Sequence, residues 1–300
     1  MYKLNGMEQH TTCKEHPLGN PIFLSTKNYN TMARVKNFMQ MTGSLAMVSM
    51  YTLQGHDEVI IRTKGGPSKR QIKTKPQFAV VRQNNSEWAG CTKMGSQIRS
   101  AFYLLNRLED YPVTGAINAI CKHIQKTDTE SVQGKRGILF SRNKETMVGF
   151  NFSKKQVFES MLRVSVNSSL NRETGVAQID IPTINADMNL YNFRKLPFFR
   201  ILGILGGVCD KTYSETGKEY VSLHEVNYRV AASEFESEWL PAAGNLPAMS
   251  FALTYPIDGT AIPESVSLIL GIGLEFGKMG FDGKPEGVKY AGAGKVLRVV

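Results

Sequence analysis

Apolar positions in the first half of the chain indicate a hairpin followed by helices. Residues 44–53 and 58–63 are apolar and flank a turn, which predicts two paired strands. Apolar residues then recur three or four positions apart, as on one face of a helix. These positions are Phe78, Val81 and Trp88 after Pro76, then Ile98, Phe102, Leu105 and Leu108, and finally Val113, Ile117, Ile120 and Ile124 after Pro112.

The last two of these segments are predicted to form an antiparallel helix pair, because only residues 109–111 connect them. The polar triplet Asn84-Asn85-Ser86 predicts a bend or a break in the first helix.

From about residue 161 the pattern changes to strands. Residues 162–166 alternate apolar and polar positions, residues 171–175 form a turn, and residues 176–182 return, which predicts a second hairpin. Residues 198–208 are almost continuously apolar, as in a central strand, and Gly203, Gly206 and Gly207 within them indicate a bulge or a close backbone approach. Further strands are predicted at residues 221–232, 249–255, 266–276 and 296–300.

Together these patterns predict an α+β protein with an N-terminal β-hairpin plus helices and a C-terminal antiparallel β-sandwich. Residues 32–130 are predicted to form the hairpin-plus-helical domain, residues 131–160 a linker-like changeover, and residues 161–300 the sandwich. Residues 1–31 are polar without periodicity, so we expect a disordered leader or a misassigned start ahead of Met32.

The positive charge is concentrated in the front domain. The chain carries a net charge of +10; residues 32–130 hold 14 Lys/Arg against 7 Asp/Glu, whereas residues 131–300 hold 19 against 17. Residues 59–86 contain seven cations and no acid, which predicts a docking segment for an anionic partner. A role in solubility alone is the alternative. The seven cations are Arg62, Lys64, Lys69, Arg70, Lys73, Lys75 and Arg82.

No motif for catalysis, metal binding or a cofactor is present. The loop at residues 64–69 lacks the P-loop spacing, and there is no GxSxG or HExxH pattern. The acids Glu234, Glu236 and Glu238 alternate and are interpreted as a solvated strand face rather than a catalytic or cation-binding group. The segment His10–His16 lacks a fourth ligand for zinc. Single, scattered cysteines at positions 13, 91, 121 and 209 are typical of reduced thiols in the cytoplasm.

The leading expectation is a non-enzymatic binding or assembly protein. Its basic segment would dock an acidic protein or another anion, and its sandwich would mediate protein contacts or self-association, without a membrane span. The first alternative is a sequence-independent nucleic-acid-binding protein, and the second is an enzyme with an unrecognised site. The aromatic residues near the basic segment are expected in the core rather than stacked on bases; they are Tyr51, Phe78, Trp88 and Tyr103.

Residues 32–90 resemble a family of uncharacterised proteins from Bacteroidota. The segments that carry the resemblance are Met32–Phe38, Thr42–Leu45, Arg62–Ile72 and, after Phe78, Arg82–Trp88. They are similar to a MARV opening, an R-T-K-G-G-x-S-K-x-R-I block and an F-x-x-x-R-x-N-x-x-E-[FW] block. The resemblance implies a start at Met32 and a helical front half before a β-rich back half. It implies no activity, substrate or catalytic residue.

Overall fold

A computed structural model of the chain describes residues 32–35, 42–52, 59–224, 232–256 and 261–300. Residues 1–31, including the His10–His16 segment, lie outside the described part, as do residues 225–231 of the predicted strand 221–232. The chain divides after Ser68 into two compact units, which are described separately.

The first unit contains a four-stranded antiparallel sheet in the order β1-β4-β3-β2. The predicted hairpin is present as the pair β3–β4. The prediction of one strand over residues 44–53 is wrong, because the chain turns at Ala46, whose φ is 46°. The strands are β1 (Met32–Val35), β2 (Gly43–Leu45), β3 (Val48–Thr52) and β4 (Val59–Thr63).

The second unit holds the helices and the remaining strands. Its α-helices are α1 (Lys69–Thr74), α2 (Ala79–Ala101), α3 (Val113–Thr127), α4 (Phe158–Met161) and α5 (Ala186–Asn189), with 3₁₀ helices at Pro76–Phe78, Tyr103–Leu108, Phe140–Arg142 and Lys144–Thr146. Its strands are β5 (Asn167–Asn171), β6 (Val176–Ile181), β7 (Ile184–Asn185), β8 (Phe198–Cys209), β9 (Lys211–Ser214), β10 (Glu219–Ser222), β11 (Ser233–Glu236), β12 (Leu240–Pro241), β13 (Asn245–Leu246), β14 (Met249–Thr254), β15 (Val266–Met279) and β16 (Pro285–Val299).

Helices α2 and α3 pack antiparallel; the sequence predicted such a pair for residues 98–108 and 113–124, but only residues 98–101 of the first segment belong to α2. Arg99 of α2 donates to the Thr114 hydroxyl at the start of α3 over 3.0 Å, and Cys91, two turns earlier, donates to Gln125 near the end of α3 over 3.3 Å. The predicted break at Asn84-Asn85-Ser86 is wrong, because α2 runs through it. The apolar periodicity of residues 98–108 continues beyond α2 as the 3₁₀ helix Tyr103–Leu108.

Two antiparallel sheets face each other in the C-terminal region, which is therefore sandwich-like within an α+β fold. One contains β11-β8-β15-β16 with β12 also on β8, and the other contains β14-β6-β5. Apolar residues of β6, β8, β14 and β15 form a buried layer between the two sheets. Phe235 of β11 stacks on Phe251 of β14 with ring centroids 4.1 Å apart, which joins the sheets at one edge.

The opposite face of the five-stranded sheet packs on the helices. Leu202, Ile204 and Val208 of β8 share one buried cluster with side chains of α2, α3 and the 3₁₀ helix Tyr103–Leu108. Glycines let the helices approach closely: a Cβ added at Gly206 would lie 2.8 Å from the Ala101 carbonyl oxygen. Similar close approaches occur at Gly271, Gly273 and Gly292.

The compact units differ from the predicted domains. Residues 69–300 form one unit, and the same sheet contributes to the helical core and to the sandwich core. The structure therefore divides after Ser68 and not at the predicted changeover of residues 131–160. Part of that changeover lies along the outer edge of β16: the Phe152 amide donates to the Gly294 carbonyl over 2.8 Å, and the Gly149 amide donates to the Val296 carbonyl over 2.9 Å.

Strand positions were predicted best where the apolar run is long. The predicted central strand is β8, and β6, β14 and β15 lie near their predicted ranges. The predicted strand at residues 162–166 is wrong, since the partner of β6 is β5, which begins at Asn167. The last strand is β16, which begins at Pro285 rather than at the predicted residue 296.

We predict that Gly206→Ala lowers the free energy of unfolding by about 1–3 kcal/mol, because the backbone of Ala101 cannot move away cheaply from the new methyl group. Gly115→Ala is the matched control, since nothing lies within 4 Å of a Cβ at this position in α3. The control should be stabilising by roughly 0.5–1 kcal/mol. Urea unfolding followed by circular dichroism measures both, and equal effects of the two variants would contradict the packing argument.

Candidate functional site

Four of the predicted docking residues lie on or next to α1, in the second unit. Lys69, Arg70 and Lys73 belong to the helix, and Lys75 follows it. All four side chains are exposed. Within the described part of the chain, no carboxylate lies within salt-bridge distance of any of them. Their charge is therefore not compensated by an acid of the described residues.

Arg62 and Lys64 lie at the end of β4 and just beyond it, in the first unit. Both side chains are exposed. The Arg62 guanidinium lies 5.4 Å from the centre of the Tyr51 ring, which holds it against the neighbouring strand β3. The structure thus distributes the predicted segment over two units.

Arg82 differs from the other six cations because it is used within the molecule. Its Nη1 donates to the carbonyls of Ile72 and Lys75 over 2.7 and 3.0 Å. The last carbonyls of a helix have no intrahelical donors, so this half-buried guanidinium caps α1 and ties it to α2. Arg82 thus has a positioning role in the structure, and its role as a docking residue stays a prediction.

The aromatic residues near the basic segment are not all in the core, and the prediction is wrong for two of them. Trp88 is 48% exposed and Tyr103 is 43% exposed, whereas Tyr51 and Phe78 are half-buried. The Tyr103 hydroxyl donates to the Glu234 carboxylate. Partial burial and the Glu234 carboxylate raise the pKa of Tyr103 to about 12, so this hydroxyl stays protonated.

A buried charge cluster joins α2, α3 and the loop that follows α3. Glu87 is fully buried, and its two carboxylate oxygens accept from Arg136 over 2.7 and 2.9 Å. Lys122 donates to the same carboxylate over 2.5 Å, and the Gly134 amide donates over 2.9 Å. The side-chain amide of Gln125 extends the network by donating to the carbonyls of Glu87 and Arg136.

This cluster stabilises the fold and has no free group for chemistry. Burial alone would raise the pKa of Glu87, but the hydrogen bonds from Arg136, Lys122 and Gly134 outweigh it and hold the pKa at about 2. The carboxylate is thus ionised and saturated with donors, which prevents it from accepting a further proton near neutral pH.

A second cluster of charges lies where β8, β11 and β15 meet the 3₁₀ helix Tyr103–Leu108. Arg200 donates to Glu275 over 2.8 Å and to Glu236 over 2.5 Å, and Arg107 donates to Glu236 over 2.9 Å. Glu234, Glu236 and Glu238 are exposed, as the sequence predicted, but Glu234 and Glu236 are also paired within the molecule. Their partners are more than 30 positions away in the sequence, so local spacing gave no signal for these pairs.

A polar groove of about 680 Å³ lies between α2 and α3. Thr92, Ser96 and Arg99 line one wall, and their spacing along α2 is the signal that sequence reasoning missed. Asn118 lines the groove from α3, and its buried Oδ1 has no hydrogen-bond partner. The Arg99 charge is compensated by Glu109 at 3.1 Å, so the groove offers neutral polar groups rather than net charge.

Two further ionisable groups are buried at the end of β8. Asp210 accepts from the amide and the hydroxyl of Ser141 over 2.9 and 2.6 Å. Burial raises the pKa of Asp210 and lowers the pKa of Lys211, whose ammonium donates to the Ser222 hydroxyl over 2.8 Å. Cys91, Cys121 and Cys209 are buried and free.

The chain matches no protein-family model, no curated protein and no solved structure. Among the described residues, no helix is long and apolar enough to cross a membrane. The same residues contain no group of three or more His, Cys, Asp or Glu side chains that could hold a metal ion.

We predict that Glu87→Gln destabilises the protein by about 3 kcal/mol at pH 7, and that this difference from wild type shrinks at low pH. The folded-state pKa of about 2 lies below the ordinary value of 4.5. The stabilisation is therefore present above pH 4.5 and is lost as the pH falls towards 2.

Urea unfolding at a series of pH values measures the difference. The control is Glu130→Gln, an exposed carboxylate, for which the difference from wild type should stay small at every pH. A Glu87→Gln difference that does not change with pH would exclude the ionised carboxylate as its cause.

Proposed function

We propose that the protein is a non-enzymatic binding or assembly protein of the cytoplasm that docks an anionic partner through α1. The observation that carries the proposal is the exposure of Lys69, Arg70 and Lys73 on α1 without a carboxylate of the described chain nearby. Lys75 extends this surface in the same unit, and Arg62 and Lys64 add exposed charge on the first unit.

An acidic protein surface is the partner that best suits these residues. Exposed cations that lack internal partners steer an oppositely charged partner during diffusion and raise the rate of association. Arg82 supports the docking helix, because it holds the carbonyl end of this short helix against α2. The cations are thereby presented on a fixed backbone, which reduces the entropy lost on binding.

The sandwich-like region is proposed to supply protein contacts or self-association. Phe281 is fully exposed in the turn between β15 and β16, and Met279 beside it is 51% exposed. Apolar side chains in such positions stabilise a complex when a partner covers them.

Nucleic acid is the second candidate partner for residues 62–82, and the exposure of Trp88 favours it. An indole on the surface of α2, the helix that also carries Arg82, can stack on a base while lysines neutralise phosphates. The two candidates differ in whether an aromatic ring contributes to affinity.

We predict that Lys69→Gln/Lys73→Gln weakens binding to an acidic peptide. The probe is a fluorescein-labelled poly-glutamate peptide, and anisotropy is measured at about 50 and 200 mM salt, because ionic contacts weaken as salt rises. The matched control is Lys126→Gln/Lys284→Gln, which removes the same charge from two exposed lysines elsewhere. The α1 variant should lose most of the affinity at low salt, and the control should keep it.

Two outcomes would overturn the proposal: no binding of the peptide at low salt, or equal losses in the two double variants. Binding of an oligonucleotide that falls in Trp88→Ala and in the α1 variant, without binding of the peptide, would select the second candidate.

A further inference from the structure

A second surface of the same unit combines exposed aromatic rings with cations. Tyr191 and Phe193 lie in the loop before β8, at 40% and 41% exposure, and Tyr290 lies in β16 at 51% exposure. Each of these rings has a cation beside it. We call this the aromatic–cation surface, and its residues are Arg163, Tyr191, Phe193, Arg194, Lys289 and Tyr290.

In the loop before β8, two aromatic rings are stacked and each has a guanidinium group beside it. The rings of Tyr191 and Phe193 are 6.2 Å apart with planes inclined by 25°. The guanidinium of Arg163 lies 5.4 Å from the Tyr191 ring centre, and that of Arg194 lies 5.3 Å from the Phe193 ring centre. The rings and guanidinium groups are thus held in place before any ligand binds.

One hydrogen bond joins the loop to β16. Arg194 Nη1 donates to the Lys289 carbonyl over 3.0 Å. The Lys289 ammonium lies 5.0 Å from the centre of the Tyr290 ring. Tyr290 has a φ of 60°, in the stretch of β16 where the pairing with β15 shifts register, and an irregularity of this kind redirects a side chain out of the sheet.

The surface continues into a groove of about 400 Å³ beside Tyr290. Tyr111 forms part of its wall, and the Lys154 ammonium lies 4.4 Å from the Tyr111 ring centre. The Tyr111 ring and the Lys154 ammonium therefore extend the row of rings and cations formed by the loop and β16.

The cations of this surface have no compensating acids in the described part of the chain. No carboxylate there lies within salt-bridge distance of Arg163, Arg194, Lys289 or Lys154. Two acids line the groove: Glu109 pairs with Arg99, and Asp110 accepts from the backbone amides of Lys154 and Lys155, which hold its carboxylate without neutralising its charge.

We propose that the aromatic–cation surface binds single-stranded nucleic acid without sequence preference. Such a ligand carries flat bases and negative phosphates in alternation. The rings of this surface can stack on the bases, and its cations can neutralise the phosphates. Unpaired bases stack on aromatic rings and on guanidinium planes, and lysines neutralise the backbone. A duplex hides the faces of its bases, and an acidic peptide offers nothing to stack. The inference uses none of the α1 residues and does not depend on the proposed function.

The test measures anisotropy of a labelled oligonucleotide of about 12 nucleotides, as DNA and as RNA, a length within the range of known single-strand sites. Phe193→Ala should weaken binding of the strand by roughly tenfold, which is the loss of one stacked base. Phe193→Tyr should retain the affinity, and Val132→Ala, which truncates an exposed apolar side chain outside the surface, should leave it unchanged. A circular dichroism spectrum that matches wild type shows that each variant is folded.

Charge is tested separately. Arg194→Gln/Lys289→Gln should reduce the slope of log affinity against log salt by about 1.4, or 0.7 for each phosphate contact of a single strand. Lys126→Gln/Lys284→Gln controls for net charge.

Three results would overturn the inference: no binding of the strand at low salt, a duplex of equal length bound as tightly, or Phe193→Ala with unchanged affinity. If binding falls only in Lys69→Gln/Lys73→Gln, the nucleic acid binds at α1 and the aromatic–cation surface is excluded. Because the acidic-peptide assay reports on α1 alone, failure of that assay leaves this inference unaffected.

Discussion

The close approach of the helices to the five-stranded sheet is the constraint on which the rest of the second unit depends. At Gly206 the space for a side chain is already occupied by the backbone of Ala101, and Gly271 and Gly273 stand at equally crowded positions below the 3₁₀ helix Tyr103–Leu108. Dispersion forces and apolar burial both increase as the two layers approach. The other face of the same sheet is covered by the strands β14, β6 and β5, so the sheet is buried on both sides.

The charged groups of the unit follow from this layered core. Glu87 is buried beside the helices, and it is compensated by Arg136 and Lys122 because an unpaired carboxylate in that place would be costly. Arg107 and Arg200 likewise pair with acids where the sheet meets the helices. Uncompensated cations are found instead at the surface, on α1 and on the aromatic–cation surface, where water solvates them.

Much of the fold could be predicted from local patterns, because long apolar runs reveal buried elements such as β8 and α3. The turn at Ala46 was missed because its sequence lacks the glycine or asparagine that usually marks a positive φ. Most of β16 was missed because Gly287, Gly292 and Gly294 lower its strand propensity, and tertiary packing overrides that preference. The exposed cations of α1 could be predicted from charge alone. The aromatic–cation surface could not, because residues about 100 positions apart form it only in the folded chain.

The segment at residues 149–152 covers part of a sheet edge at which other copies of the chain could pair. Strand β16 is 15 residues long and stands at the border of its sheet. A bare border of that length is a template on which identical chains can polymerise. The amides of Gly149 and Phe152 donate to the Val296 and Gly294 carbonyls. This short stretch therefore prevents another strand from pairing at this part of the edge. Removal of residues 149–152 would leave these two carbonyls of β16 unpaired and open to a strand of another chain.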